Sequence, residues 1–138
     1  MESLRYPSVS DVVEVNRRVT KLTEDEHHID EYDRQRLSKL LDEVQNIGDS
    51  IRNPRQRIIA KSSYLLYCIA ARQFFHEGNK RTAYTVTMTF LILNGYSMPA
   101  RNPEREKILD LIAMGNPSIT LLDLEKLMRQ LVTKRENP

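Results

Sequence analysis

From Tyr64 to Ala71 the chain reads Tyr-Leu-Leu-Tyr-Cys-Ile-Ala-Ala, with no charged or amide side chain. A helix with no polar face is a buried helix, so any fold open to this chain is built around this segment. Pro54 suits its start, since proline at the first helical position gives up only an N–H that has no partner there. The helix is expected to run from Pro54 to about Phe74. A second helix, Lys80 to Leu93, turns Ala83, Val86, Thr87, Phe90 and Leu91 to one side and stops at Asn94-Gly95. Between the two lies a polar interval, Arg72-Gln-Phe-Phe-His-Glu-Gly-Asn-Lys-Arg-Thr-Ala83. The expectation is a rigid helical hairpin carrying a polar loop.

Glu77, Gly78 and Asn79 fall where the second helix begins, and the unpartnered N–H groups of a helix N-terminus attract anions. Lys80 and Arg81 put two cations into the first turn, where the helix dipole disfavours them. A bound polyphosphate would remove that conflict. The plainer reading is that glycine and asparagine are ordinary cap residues and Lys80-Arg81 a solvated face. Two neighbours favour a ligand. Phe74-Phe75 can pin the loop to the core, which a preorganised site needs. Glu77 would repel phosphate unless a divalent cation bridged them, as Mg²⁺ does between a carboxylate and substrate phosphates.

The run Phe75-His-Glu-Gly-Asn-Lys-Arg-Thr-Ala83 resembles the signature of the Fic/Doc family, H-x-F-x-(D/E)-(G/A)-N-(G/K)-R. The Lys-Arg-Thr-Ala ending and Phe90-Leu-Ile-Leu-Asn-Gly-Tyr96 look most like its Doc branch, the death-on-curing toxins. The likeness is dense over residues 60–96 and looser before them. One position departs from it: Gln73 stands where the family has histidine. The resemblance implies an all-α bundle with the motif loop between two central helices, and an ATP and Mg²⁺ site. In it Glu77 would hold Mg²⁺, the Gly78 backbone and the Asn79 side chain would cradle an anion, and Lys80 and Arg81 would bind the outer phosphates. Gln73 and Arg81 would take the catalytic positions.

The family histidine takes the proton from a target hydroxyl as it attacks a nucleotide phosphate. Glutamine can orient a hydroxyl but cannot accept its proton, and general-base catalysis is worth about 10²- to 10⁴-fold. Binding should therefore survive while transfer is crippled. His76 is the other imidazole nearby, but a three-residue offset across a turn should point it elsewhere. A glutamine at this position fits either a family member that lost its base or a chain disarmed on purpose.

The 138 residues are expected to form one domain, 1–138. The net charge of +2 gives no footing for nucleic acid, the weaker alternative that would use Arg52, Arg55 and Arg57. No membrane span or signal peptide is legible, and the single Cys68 in an apolar run fits a reducing compartment. A cytoplasmic protein is the expectation.

The remaining segments read as helices around the hairpin. Ser8 or Ser10 can cap a short first helix with Val9, Val12, Val13, Asn16 and Val19 on one face. Thr23 to Asp30 is a charged connector whose His27 and His28 lack metal-ligand spacing and read as surface. Asp30 to Ile47 is an amphipathic helix on Tyr32, Leu37, Leu40, Leu41, Val44 and Ile47, stopped by Gly48. Gly48 to Arg55 reads as a connecting loop; the resemblance makes it a flap beside the site that can receive a target segment. Ser97 to Pro103 is a turn-rich link, Glu104 to Met114 a further helix, and Thr120 caps a last helix on Leu121, Leu124, Leu127, Met128 and Leu131. Lys134 to Pro138 is expected to be a frayed tail. About six helices result.

Function divides into a nucleotide-transfer enzyme and a silent module that binds nucleotide or protein without turnover. By resemblance, Fic-type members leave AMP on a hydroxyl, whereas Doc moves the terminal phosphate to a translation elongation factor, and Lys80 in place of glycine favours the latter. Self-restrained members carry a Ser/Thr-x-x-x-Glu-(Gly/Asn) helix; Thr20 to Asp25 comes nearest and fails at its last position. Restraint is therefore expected from a separate antitoxin chain.

Overall fold

Most helices begin where the sequence supplies a cap. Ser8, rather than Ser10, forms a capping box with Asp11 and opens α1 (Val9–Thr20). Asp30 accepts from the Asp33 N–H and opens α2 (Glu31–Asn46). Asn53, followed by Pro54 at the first position, opens α3 (Pro54–Arg72). Gly78 precedes α4 (Asn79–Leu93), and a Thr120–Asp123 capping box opens α5 (Leu121–Leu131). Two short strands, β1 (Tyr96–Ser97) and β2 (Thr133–Lys134), pair antiparallel with Tyr96 opposite Lys134. The computed structural model describes residues 3–99 and 120–135, so the helix expected from Glu104 to Met114 lies outside the described residues. Among the described residues there are five helices, and the architecture is all-α as expected.

The apolar segment is the central post. Leu65, Leu66, Cys68, Ile69 and Ala70 of α3 are buried, and α4, α5 and α2 pack around that helix while α1 lies against α4. One apolar cluster takes in Val12 of α1, Leu37 and Leu40 of α2, Phe90 and Leu91 of α4, and Leu124 and Met128 of α5. Burial pushes the Cys68 thiol above its ordinary value. That suits a small core hydrophobe rather than a nucleophile. Among the described residues no helix is long and apolar enough to cross a membrane.

Two features differ from expectation, and two more bear on the sequence reading. Tyr32 is 71% exposed, because the inner face of α2 is carried by Leu37, Leu40, Leu41 and Val44 and its first turn projects beyond the core. The C-terminal segment is not frayed at its start: Val132 is buried, Thr133–Lys134 pairs with β1, and the Arg135 N–H donates to the Gly95 carbonyl at 2.9 Å. That pairing arises because α4 and α5, both packed on α3, bring their ends together. Lys61 is buried within α3. Its ammonium donates to the Gln45 and Val44 carbonyls at 2.8 and 3.3 Å and to Asp49 at 3.1 Å, which places a cation at the negative end of α2. Two of the three arginines weighed for nucleic acid are engaged internally: Arg55 donates to the Arg129 and Val132 carbonyls, and Arg57 to those of Ile51 and Arg52.

Candidate functional site

The polar interval is anchored at its first residue by a cation from α2. Arg36 donates to the Arg72 carbonyl at 2.8 Å, and its guanidinium lies 4.7 Å from the centroid of the Phe74 ring. Arg72 itself binds Glu43 and the Tyr64 hydroxyl, each at 3.2 Å. Burial pushes the Glu43 carboxyl up, but hydrogen bonds from Arg72 and Tyr64 outweigh it and hold the group below its usual range. Phe74 and Phe75 are buried, as the pinning argument requires.

Gln73 ends α3 in the left-handed region, at φ 54° and ψ 56°. Its amide folds back: Nε2 donates to the Ala70 carbonyl at 2.9 Å, and Oε1 accepts from Asn79 Nδ2 at 3.4 Å. Histidine enters the left-handed region more readily than most residues, so this backbone accommodates an imidazole at position 73. Asn79 is buried, and its side chain closes the loop on itself. Its Nδ2 donates to the Phe75 carbonyl at 2.8 Å and its Oδ1 accepts the Phe75 N–H at 3.1 Å. An anion-cradling side chain was expected there; the amide instead holds the turn's shape.

The far side of the loop rests on α1. Gly78 adopts φ +75°, and a Cβ added there would lie 2.8 Å from Thr20 Cγ2 and 3.3 Å from Asn16 Nδ2. Asn16 is buried and donates to the Glu77 carbonyl at 2.9 Å and the Thr82 hydroxyl at 3.0 Å. Its Oδ1 lies 2.8 Å from His27 Nε2. Arg81 is exposed and donates to the Val19 carbonyl at 2.7 Å, near the C-terminus of α1. His27 is thus not a surface residue. It is half-buried, and burial, reinforced by Arg17, pushes its pKa below the ordinary value.

Gln73, His76, Glu77, Gly78, Asn79, Lys80 and Arg81 line one cavity of about 320 Å³. Every residue expected at the site therefore borders the same space. His76 does too, so the turn does not carry it away as the offset suggested. A second cavity of about 230 Å³, with His28, Asp30 and Asp33 on its wall, shares Gln73 and His76 with the first. Ser8, Asp30, Asn53 and Thr120 cap the other four helices, whereas no side chain caps α4 and its first turn holds no acidic residue. This leaves an electropositive helix start open to a small anion.

Asn16, Arg36 and His27 escaped the sequence reading of the site. The signal for Asn16 was an amide on a face otherwise made of valines; Arg36 and His27 gave none. The Fic/DOC family model matches residues 6–91, from the segment before α1 into the last turn of α4. The chain belongs to the Fic/DOC family. No curated protein matches it. Fic/DOC membership suggests an AMPylation-type transferase or a toxin-related function. Members of the Fic/DOC family generally bind ATP with Mg²⁺ and modify protein targets. The α3–loop–α4 hairpin lies within the matched region except for the last two residues of α4.

Proposed function

We propose that this chain is a Doc-type protein whose loop binds the phosphates of Mg·ATP and whose transfer to a hydroxyl of a target protein is impaired by Gln73. The observation that carries the reading is the uncapped start of α4, bordered by a cavity whose wall includes Lys80 and Arg81. Four of the five described helices place a side-chain acceptor on a first-turn N–H; α4 has none, so its first-turn N–H groups are left to solvent or a ligand.

Glu77 is the residue that would hold Mg²⁺. It is exposed on the cavity wall, and among the described residues no cluster of three or more ligating side chains stands ready to form a cage. One carboxylate completed by substrate phosphates and water is the usual protein contribution to Mg²⁺, so the residues present fit the ion. When bound, it neutralises charge on the phosphates. The Gly78 backbone and the first-turn N–H groups accept the anion, while Lys80 and Arg81 hold its outer oxygens. Arg81 keeps N–H groups beyond the one on the Val19 carbonyl. Asn79 keeps the loop in shape.

Gln73 borders the same cavity and can align a hydroxyl, but its amide cannot take the proton. Doc-type transfer of the terminal phosphate, with a translation elongation factor as the class of target, is favoured by Lys80 over transfer of AMP. Restraint by a separate antitoxin chain belongs to the same reading. A silent module that binds nucleotide or protein is the second reading, favoured by the engagement of the Gln73 amide at both of its ends.

The test is a matched pair, this chain and Gln73→His, each incubated with Mg²⁺, a cell extract and ATP labelled at either the α or the γ phosphate. The reading predicts that the histidine variant labels a protein about 10²- to 10⁴-fold faster than the parent, with γ label retained. Retained α label would replace phosphate transfer by AMP transfer. No labelling by either chain, with Mg·ATP still bound, would leave the silent module.

A further inference from the structure

We propose that Asn16 and His27 form a positioning pair that fixes the motif loop, and through it the affinity for phosphate, from outside the loop. The inference rests on the reading that the loop holds nucleotide phosphates. Asn16 is 2% exposed on the inner side of α1, and a buried amide is costly unless its polar atoms are satisfied. They are satisfied by the loop. One Nδ2 donates to the Glu77 carbonyl at 2.9 Å and to the Thr82 hydroxyl at 3.0 Å, bridging 61 and 66 residues of chain.

Those contacts act on the peptide that matters. In a planar trans peptide the C=O and N–H point opposite ways, so drawing the Glu77 carbonyl onto α1 turns the Gly78 N–H away from α1. Thr82 lies one turn up α4, and its own N–H closes the first helical bond on the Gly78 carbonyl at 2.8 Å. Asn16 therefore tethers the residue before the helix start and the residue that completes its first turn.

His27 sets which way round the amide sits. If the Asn16 amide were reversed, Oδ1 would face the Glu77 carbonyl oxygen and the NH₂ would face the imidazole. With the Asn16 NH₂ on the Glu77 carbonyl and the Thr82 hydroxyl, Oδ1 faces His27 Nε2 at 2.8 Å, and a proton on that nitrogen locks the amide this way round. The network requires a proton on Nε2, which both the neutral Nε2–H tautomer and the imidazolium carry, so the contact does not depend on ring charge. The ring also lies against Phe75, with centroids 6.2 Å apart. Neither residue touches the reacting atoms; both act through the loop, as outer-shell partners do, where loss typically costs about 10- to 100-fold in affinity or activity.

The experiment has two readouts on the full chain: hydrogen exchange of the Gly78 to Thr82 amides without nucleotide, and calorimetric titration with Mg·ATP. Asn16→Ala and Asn16→Asp are expected to speed loop exchange and weaken Mg·ATP by about tenfold or more. His27→Ala should follow in the same direction, and His27→Gln, which restores an N–H donor, should recover toward the parent. Val44→Ala, a core truncation in α2, is the control for simple destabilisation and should leave the loop amides and the affinity unchanged. Parental loop exchange in Asn16→Ala and His27→Ala, or equal effects from Val44→Ala, would overturn the proposal. Should Asn16→Ala not fold, the His27 variants decide. If the parent binds no Mg·ATP, the phosphate reading fails, and exchange alone decides whether the pair positions the loop.

Discussion

Replacing Gly78 by alanine should damage the protein through two separable terms. The residue sits at φ +75°, where an L side chain costs about 1 to 2 kcal/mol. The added Cβ would also stand 2.8 Å from Thr20 Cγ2, closer than such atoms approach, and 3.3 Å from Asn16 Nδ2. Overpacking of this kind costs about 1 to 3 kcal/mol. With partial relaxation the total is about 2 to 4 kcal/mol, which for a chain of this size lowers the melting point by about 6 to 16 °C. Thr20→Ser separates the terms. It removes the clashing methyl and keeps the hydroxyl that bonds the Asn16 carbonyl at 2.8 Å. In a double-mutant cycle measured by urea denaturation, the coupling should be about 1 kcal/mol or more, with the double variant recovering part of the loss. Gly95→Ala supplies the contrast, since its φ is +89° but a Cβ there meets nothing within 4 Å. Additive effects at positions 20 and 78 would refute the claim that α1 presses on the loop. A neutral Gly78→Ala would refute both terms.

Two further perturbations test other parts of the structure. Lys61→Met removes the ammonium from the Gln45, Val44 and Asp49 acceptors and should destabilise by about 1 to 3 kcal/mol in urea melts; a neutral or more stable variant would mean that desolvation of the lysine outweighs its bonds. His27 has a folded pKa below its ordinary value, first because of burial and then because of Arg17. The unfolded chain therefore takes up the proton first as pH falls, so this contribution is intact above about 6.5 and lost as pH falls from there through the folded value. Stability measured from about pH 7.5 to 5.5 should decline, with a shallower decline in His27→Gln; an unchanged slope in that variant would count against the assignment.

The hairpin was legible because its signals are local. The unbroken apolar run of α3, the period of α4 and the Gly78-Asn79 punctuation each lie within a few turns of chain. The cap at Thr120 was legible for the same reason. Most of what sequence reasoning missed depends on contacts between distant segments. The β1–β2 pair exists only because α4 and α5 end side by side on α3. The bonds of Asn79 to Phe75 are not legible, because an amide before a helix looks the same whether it turns out to an anion or inward to the loop. Arg81 on the Val19 carbonyl and Lys61 on the end of α2 likewise join parts of the chain that no periodicity connects. The left-handed backbone of Gln73 left no mark either, since glutamine is not a residue that announces such a turn.

The central claim is that the loop before α4 is a phosphate site for Mg·ATP. Calorimetric titration of ATP into this chain, with Mg²⁺ and then with chelator, tests it most directly. Saturable binding at one site per chain is expected, weakened by Lys80→Ala and lost or strongly reduced without Mg²⁺. No binding by folded protein with Mg²⁺ present would contradict it.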